Sequence, residues 1–226
     1  MQKLVEGVGR FESEIFPAQR EHYARLASGQ NPVALFIACS DSRVSPGTLT
    51  QTLPGELFVV RNAGNLVPPH GAARGGVGAS IEYAVSVLKV RHVIVCGHSD
   101  CGVLKATLKP ETVQDLPNVR DWLEMTESTR RMLRDNCPDL SGQELLDRAV
   151  EHNVMMQIQH LQTHPSVASA LMGGRVELHA WTYRIESGRV LAFCSERRAF
   201  VPLVELWAET AGGASQVGRS GVFKRP

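Results

Sequence analysis

Two short polar clusters carry the residue types that can hold a metal and work beside it: Cys39-Ser40-Asp41-Ser42-Arg43 and Gly97-His98-Ser99-Asp100-Cys101-Gly102. Two thiolates and an imidazole make a soft-to-borderline donor set suited to tetrahedral Zn²⁺, and three protein ligands leave the fourth position open. Asp41 and Arg43 add a second element. A guanidinium beside a carboxylate can keep it ionised and oriented, so that Asp41 accepts a hydrogen bond from water on the metal. Taken singly these signals are weak, because a cysteine ending an apolar run is more often a small buried residue and an Asp–Arg pair is more often solvated. Their joint occurrence makes the case for Cys39, His98 and Cys101 as ligands. Cys96, Cys137 and Cys194 are read as packed thiols.

The elements that must bring the clusters together are legible as apolar runs. Val33 to Ala38 leads directly into the first cluster and Val93 to Cys96 into the second, each as a strand buried on both faces would read. Leu57 to Val60 is a third such run. Gly78 to Leu88 has the length and pattern of a crossover helix, so a βαβ unit and a parallel sheet follow. Both clusters then fall at carboxyl ends of parallel strands, where open α/β sheets bind ligands.

The rest of the chain frames that core. Residues 1–28 form a helical arm in two pieces, interrupted at Pro17. Helical patterning continues over 118–161, with a break near Asn136-Cys137-Pro138 and a capping box opening at Ser141. Val176 to Tyr183 and Val190 to Phe193 flank Glu186-Ser187-Gly188, a hairpin signal. From Ala211 the chain is rich in Gly and Ser and reads as a flexible tail. The expected fold is α/β, a mainly parallel central sheet flanked by helices, with an N-terminal helical arm and a C-terminal antiparallel hairpin, in one domain spanning 1–226.

Composition narrows the partners. With 24 basic and 23 acidic residues the formal charge is +1, which gives no field that would draw the chain to nucleic acid or an anionic membrane. Neither a signal-peptide run nor a membrane span is visible, so a cytoplasmic protein is expected. Five cysteines, an odd number, suit reduced thiols or metal ligands better than a disulfide framework. Gly75-Gly76-Val77-Gly78 lacks the spacing and preceding strand of a phosphate loop and is read as packing. His160 and His164 are read as solvated or capping, with Pro165 ending their helix, and Tyr83 and Trp181 as core or interface aromatics.

Together with Arg61-Asn62-Ala63-Gly64-Asn65, the two clusters resemble those of the β-class carbonic anhydrases, over about residues 1–204. The resemblance implies reversible hydration of carbon dioxide to bicarbonate and a proton, with one Zn²⁺ per chain. It also implies a homodimer paired into a tetramer, with the N-terminal helices lying on a partner subunit. Gln30 matches a glutamine that hydrogen-bonds substrate, and Phe58, Ala63 and Tyr83 match the cleft lining, with both aromatics contributed across the dimer interface. Gly102 would offer a backbone N–H to substrate. In some relatives a Trp, an Arg and a Tyr bind regulatory bicarbonate. Here Arg61 and Tyr183 match, but Phe36 stands in the Trp position, so the site loses a donor. Asp100 receives no role. Two alternatives keep the zinc ligands: hydrolysis of carbon disulfide or carbonyl sulfide, and a non-catalytic zinc-stabilised binding protein with Asp41 as a permanent ligand.

Overall fold

The computed structural model describes residues 1–72 and 75–212. Six strands form one sheet: β1 (Ala34–Cys39), β2 (Leu57–Asn62), β3 (His92–His98), β4 (Glu177–Arg184), β5 (Arg189–Cys194) and β6 (Ala199–Pro202), in the order β2-β1-β3-β4-β5-β6. The first four are parallel, and β5 and β6 run antiparallel. This is the expected α/β architecture. β6 extends the expected hairpin into a meander, and its short run ends on Pro202, which an edge position tolerates because no ladder donor is needed there.

Burial explains two of the three apolar runs, while Leu57 to Val60 lies in the edge strand β2, where Leu57 and Phe58 are half-buried and Val59 is exposed. β1 is buried at every position, as a strand with neighbours on both edges and layers on both faces must be. The face carrying Leu35, Ile37, Val93, Val95 and Leu178 packs on the helices Gly76–Ser86, Gly142–Thr163 and Pro165–Met172 through Ile81, Ala84, Val154, Ile158, Leu161 and Val167. The opposite face carries Ala34, Phe36, Ala38, Ile94 and Cys96, and its half-buried members Trp181 and Tyr183 remain partly open. The two layers are therefore unequal.

Chain order reverses at β1, because β2 follows it on one side and β3 lies on the other. The carboxyl ends of β1 and β3 flank this switch point, where connections leave in opposite directions and open a crevice. Gly97 fixes how close the long helix Gly142–Thr163 comes to the end of β3. A Cβ there would meet Val154 Cγ2 at 2.7 Å and Val150 Cγ1 at 2.9 Å.

Several local expectations are corrected. The arm's first helical stretch passes through Pro17 and breaks at Gln19, before the helix Arg20–Ala27. A π-helical segment, Phe11–Ile15, lies just ahead of the proline, and such a widened turn leaves room for a ring that lacks an N–H. The capping box at Ser141 does not form: Ser141 is the N-cap but makes no side-chain cap bond, and Gly142 enters at φ 57, in the left-handed region. Of the tail read from Ala211, residues 211 and 212 belong to the last helix, Leu203–Gly212, and residues 213–226 lie outside the described residues.

Candidate metal centre and its carboxylate

Cys39 ends β1, His98 ends β3, and Cys101 is the N-cap of the helix Gly102–Leu108. Between the last two, Asp100 takes φ 60, which turns the chain sharply enough for both side chains to face one point. The two Sγ atoms and a ring nitrogen of His98 all lie within 4.8 Å of one another, and all three residues are buried.

The protonation pattern of this trio fits a metal. His98 Nδ1 is 2.8 Å from the Ser99 carbonyl oxygen and donates to it, which leaves Nε2 as the nitrogen with a free lone pair. That Nε2 is buried and has no hydrogen-bond partner, a costly arrangement unless the lone pair has a ligand to bind. Cys39 is pulled down to about 4, foremost by a hydrogen bond from Cys101, with the backbone N–H groups of Gly64 and Asp41 each 3.4 Å from its Sγ. Cys101 is pushed well above the usual thiol range by the neighbouring Cys39 and by burial. A thiolate, a second thiol and an imidazole nitrogen without a hydrogen-bond partner, all turned to one point, make the donor set of a Cys₂His metal site. Cys96, fully buried and pushed up to about 12, shows the contrast: burial alone makes a thiol inert.

Asp41 lies beside the trio, its Oδ2 3.9 Å from His98 Nε2. Arg43 grips both carboxylate oxygens, Nη2 to Oδ2 at 2.8 Å and Nε to Oδ1 at 3.0 Å, while the Arg43 backbone N–H donates to Oδ1 at 3.0 Å. This grip holds the Asp41 carboxyl well below the usual carboxylate range. Arg43 also reaches Asp100, with Nη1 3.0 Å from Oδ2, and Asp100 pairs in turn with Lys105. Asp100, to which the sequence reading gave no role, thus ties the β1 loop to the β3 loop. Its place in the turn between His98 and Cys101 was the available signal.

Arg61 donates from Nε to the Cys39 carbonyl (3.0 Å) and from Nη2 to the Asp41 carbonyl (2.7 Å), so its guanidinium braces the loop behind the trio. Phe36 is fully buried and meets Trp181 edge to face, centroids 6.0 Å apart. Ala63 lies next to Gly64, and its carbonyl accepts from Trp122 Nε1 at 2.8 Å, a contact that sequence reading did not anticipate. Gly102, the first residue of its helix, is exposed next to the buried Cys101. Gln30, Phe58 and Tyr83 are not brought to the trio of their own chain. Gln30 is exposed ahead of β1, and Phe58 pairs with Leu35 in register, four residues or about 13 Å back from Cys39. Tyr83 accompanies Phe58, ring centroids 6.0 Å apart, and is 44% exposed.

His164 holds the cap position between the helices Gly142–Thr163 and Pro165–Met172, as expected, but neither its ring nor that of His160 is a solvated side chain. His160 and His164 sit 2.8 Å and 2.9 Å from the carbonyl oxygens of Val67 and Pro68 and hold that strap against the long helix. Gln157 and Asn153 continue the row: Gln157 Oε1 accepts from the Val67 N–H at 2.8 Å, and Asn153 Nδ2 donates to the Gly64 carbonyl at 3.1 Å. Gly76 to Gly78 form the first turn of a helix, but close packing does not call for the glycines: a Cβ at Gly75 or Gly76 would meet nothing within 4 Å.

Comparison with known proteins agrees with this geometry. A family model described as carbonic anhydrase matches residues 34–190. A carbonic anhydrase of Pseudomonas aeruginosa is 49% identical over 205 residues, 91% of this chain and 93% of that protein. One from Synechocystis is 48% identical over 202 residues, 89% of this chain and 74% of that protein. The solved structure of the β-carbonic anhydrase CcaA superposes with a TM-score of 0.88 at 48% identity, covering 89% of this chain and 91% of that one. A tetrameric β-carbonic anhydrase of Sordaria macrospora gives 0.77 at 29% identity, covering 84% and 95%. With the matched span holding the buried trio Cys39, His98 and Cys101 and, beside it, the Asp41–Arg43 pair, the chain belongs to the β-carbonic anhydrase family of enzymes.

Proposed function

We propose that this protein catalyses the reversible hydration of carbon dioxide to bicarbonate and a proton, using one Zn²⁺ held by Cys39, His98 and Cys101. The observation that carries this reading is the unpartnered, buried Nε2 of His98, set against a thiolate–thiol pair and 3.9 Å from a carboxylate that Arg43 keeps charged. When bound, the zinc supplies the Lewis acidity that makes water a nucleophile near neutral pH. The chain's own groups do the rest. Asp41 cannot donate a proton while ionised, so it accepts a hydrogen bond from the attacking water and turns the oxygen's free lone pair towards carbon. Arg43 keeps it from swinging onto the metal. Ala63 offers apolar surface suited to an uncharged substrate, and the Gly102 N–H is available to negative charge growing on its oxygens.

The remaining lining comes from a second subunit in this reading. Gln30, Phe58 and Tyr83 lie away from their own chain's trio, and Leu4, Val5 and Val8 of the arm are each more than half exposed. A dimer that exchanges these surfaces completes the cleft, and the Sordaria macrospora relative, a tetramer, supports pairing of dimers. A stable, active monomer near 24.7 kDa in sedimentation would contradict this. No described helix is long and apolar enough to cross a membrane, and the free thiols suit a reducing compartment such as the cytoplasm. The grip of Arg43 on both oxygens of Asp41 leaves the permanent-ligand alternative without support, and no feature of the site favours carbon disulfide or carbonyl sulfide.

Stopped-flow CO₂ hydration on protein of measured zinc content tests the function. Activity that tracks zinc content, and is lost with zinc in Cys101→Ser, is expected; a fully zinc-loaded wild type no faster than buffer would overturn it.

A further inference from the structure

A second convergence of ligating side chains lies at the opposite end of the sheet. β3 and β4 run parallel with His92 opposite Glu177 and Ile94 opposite His179. Alternation turns His92, Glu177 and His179 onto the thinly covered face that also bears Ile94 and Trp181. There, His92 Nδ1 is 3.1 Å from His179 Nε2 and 3.5 Å from Glu177 Oε2, and the three ligating atoms lie within 4.8 Å of one another. The group is separate from the Cys39 trio, since His98 stands six residues along β3, about 20 Å away.

We propose that His92, Glu177 and His179 form a second metal site, for a divalent transition ion, that clamps the starts of β3 and β4 together. Four features support it. Ligands at 2.0–2.1 Å around a tetrahedral ion are separated by about 3.3–3.4 Å, and the observed 3.1 Å and 3.5 Å lie on either side of that edge length. Two imidazoles and one carboxylate form a borderline set, matched to Zn²⁺, Co²⁺, Ni²⁺ or Cu²⁺ and poorly matched to the hard ions Mg²⁺ and Ca²⁺. The site also has an entry side, because the His92 side chain is 41% exposed while that of Glu177 is 19% exposed. Burial and the neighbouring His92 lower His179 to about 4, so it stands as the neutral imidazole that metals bind.

The test counts metal on the intact enzyme with its catalytic site already filled. Equilibrium dialysis against micromolar free Zn²⁺, followed by elemental analysis, should give two equivalents per chain for wild type and one for His92→Ala and for Glu177→Gln. Cu²⁺ added to the same samples should show nitrogen hyperfine structure from two imidazoles in wild type only. Retained CO₂ hydration in the variants would show that they fold. Uptake of no second equivalent by wild type would overturn the proposal. So would a second equivalent that persists in both variants. Neither outcome touches the catalytic reading, which uses none of these residues.

Discussion

Arg43 and Asp41 divide a task that neither residue performs alone. Asp41 touches the reacting water in the proposed mechanism, and Arg43 determines where its oxygens point and keeps them charged. Because the Asp41 carboxyl is depressed in the fold, the stability it contributes is present above the unfolded carboxylate pKa of about 3.9 and is lost as pH falls through the depressed value. No acid limb from Asp41 should therefore appear in the rate between pH 5 and 8. Arg43→Ala removes the cause of the depression and frees the carboxylate to approach the metal. Activity should fall roughly 10–100-fold, the range for losing a partner that orients a metal-site group, with zinc content unchanged. A drop in zinc equal to the drop in rate would assign Arg43 to metal retention instead. The thiols offer a second readout at this scale. In zinc-free protein, iodoacetamide at pH 6 should modify Cys39, held near 4, and leave Cys96, pushed up to about 12, untouched, with zinc protecting Cys39. Equal labelling of both by mass spectrometry would contradict the assignment.

At the scale of elements, the trio depends on how closely a helix can approach a strand end. Gly97 is the contact: the helix Gly142–Thr163 lies so near that a methyl group would overlap Val150 and Val154. Gly97→Ala should cost about 1–3 kcal/mol, the usual range for overpacking a core, and should displace His98, one residue on. Urea denaturation would read the first effect and zinc affinity the second. A variant as stable as wild type with unaltered affinity would show that the helix moves aside freely. The row Asn153, Gln157, His160 and His164 belongs to the same device, since it fastens the strap carrying Gly64, whose N–H faces the Cys39 sulfur, to that helix. Sequence reading saw the pattern of the helix but not this polar row. Histidines and amides on a helix look alike whether they face water or a strap of carbonyls.

At the scale of the whole molecule, the response to bicarbonate that we predict rests on what occupies the thin face of the sheet. Phe36 fills its position completely and packs on Trp181, offering a ring and no donor, while Arg61 is engaged with the carbonyls of Cys39 and Asp41. Losing one hydrogen bond to a charged acceptor is worth about 1.5–3 kcal/mol, comparable with typical allosteric couplings of roughly 1–3 kcal/mol. Bicarbonate should accordingly inhibit without steep cooperativity at pH 7.5, with Asp41 resting on Arg43. A Hill coefficient well above unity in inhibition assays would show that another donor replaces the missing one. The sequence by itself determined five of the six strands, the parallel sheet and the pairing of the two polar clusters, because apolar runs and strand-end motifs are local and must fall at one sheet edge once the strands align. Only the tertiary structure decided which groups meet across long intervals: Asp100 on Arg43, Trp122 on the Ala63 carbonyl, His92 beside Glu177 and His179, and Phe58 with Tyr83 on the far side from the trio. Those meetings follow from strand register and from the depth of helix packing, quantities fixed by the sum of many contacts and written in no single stretch of residues.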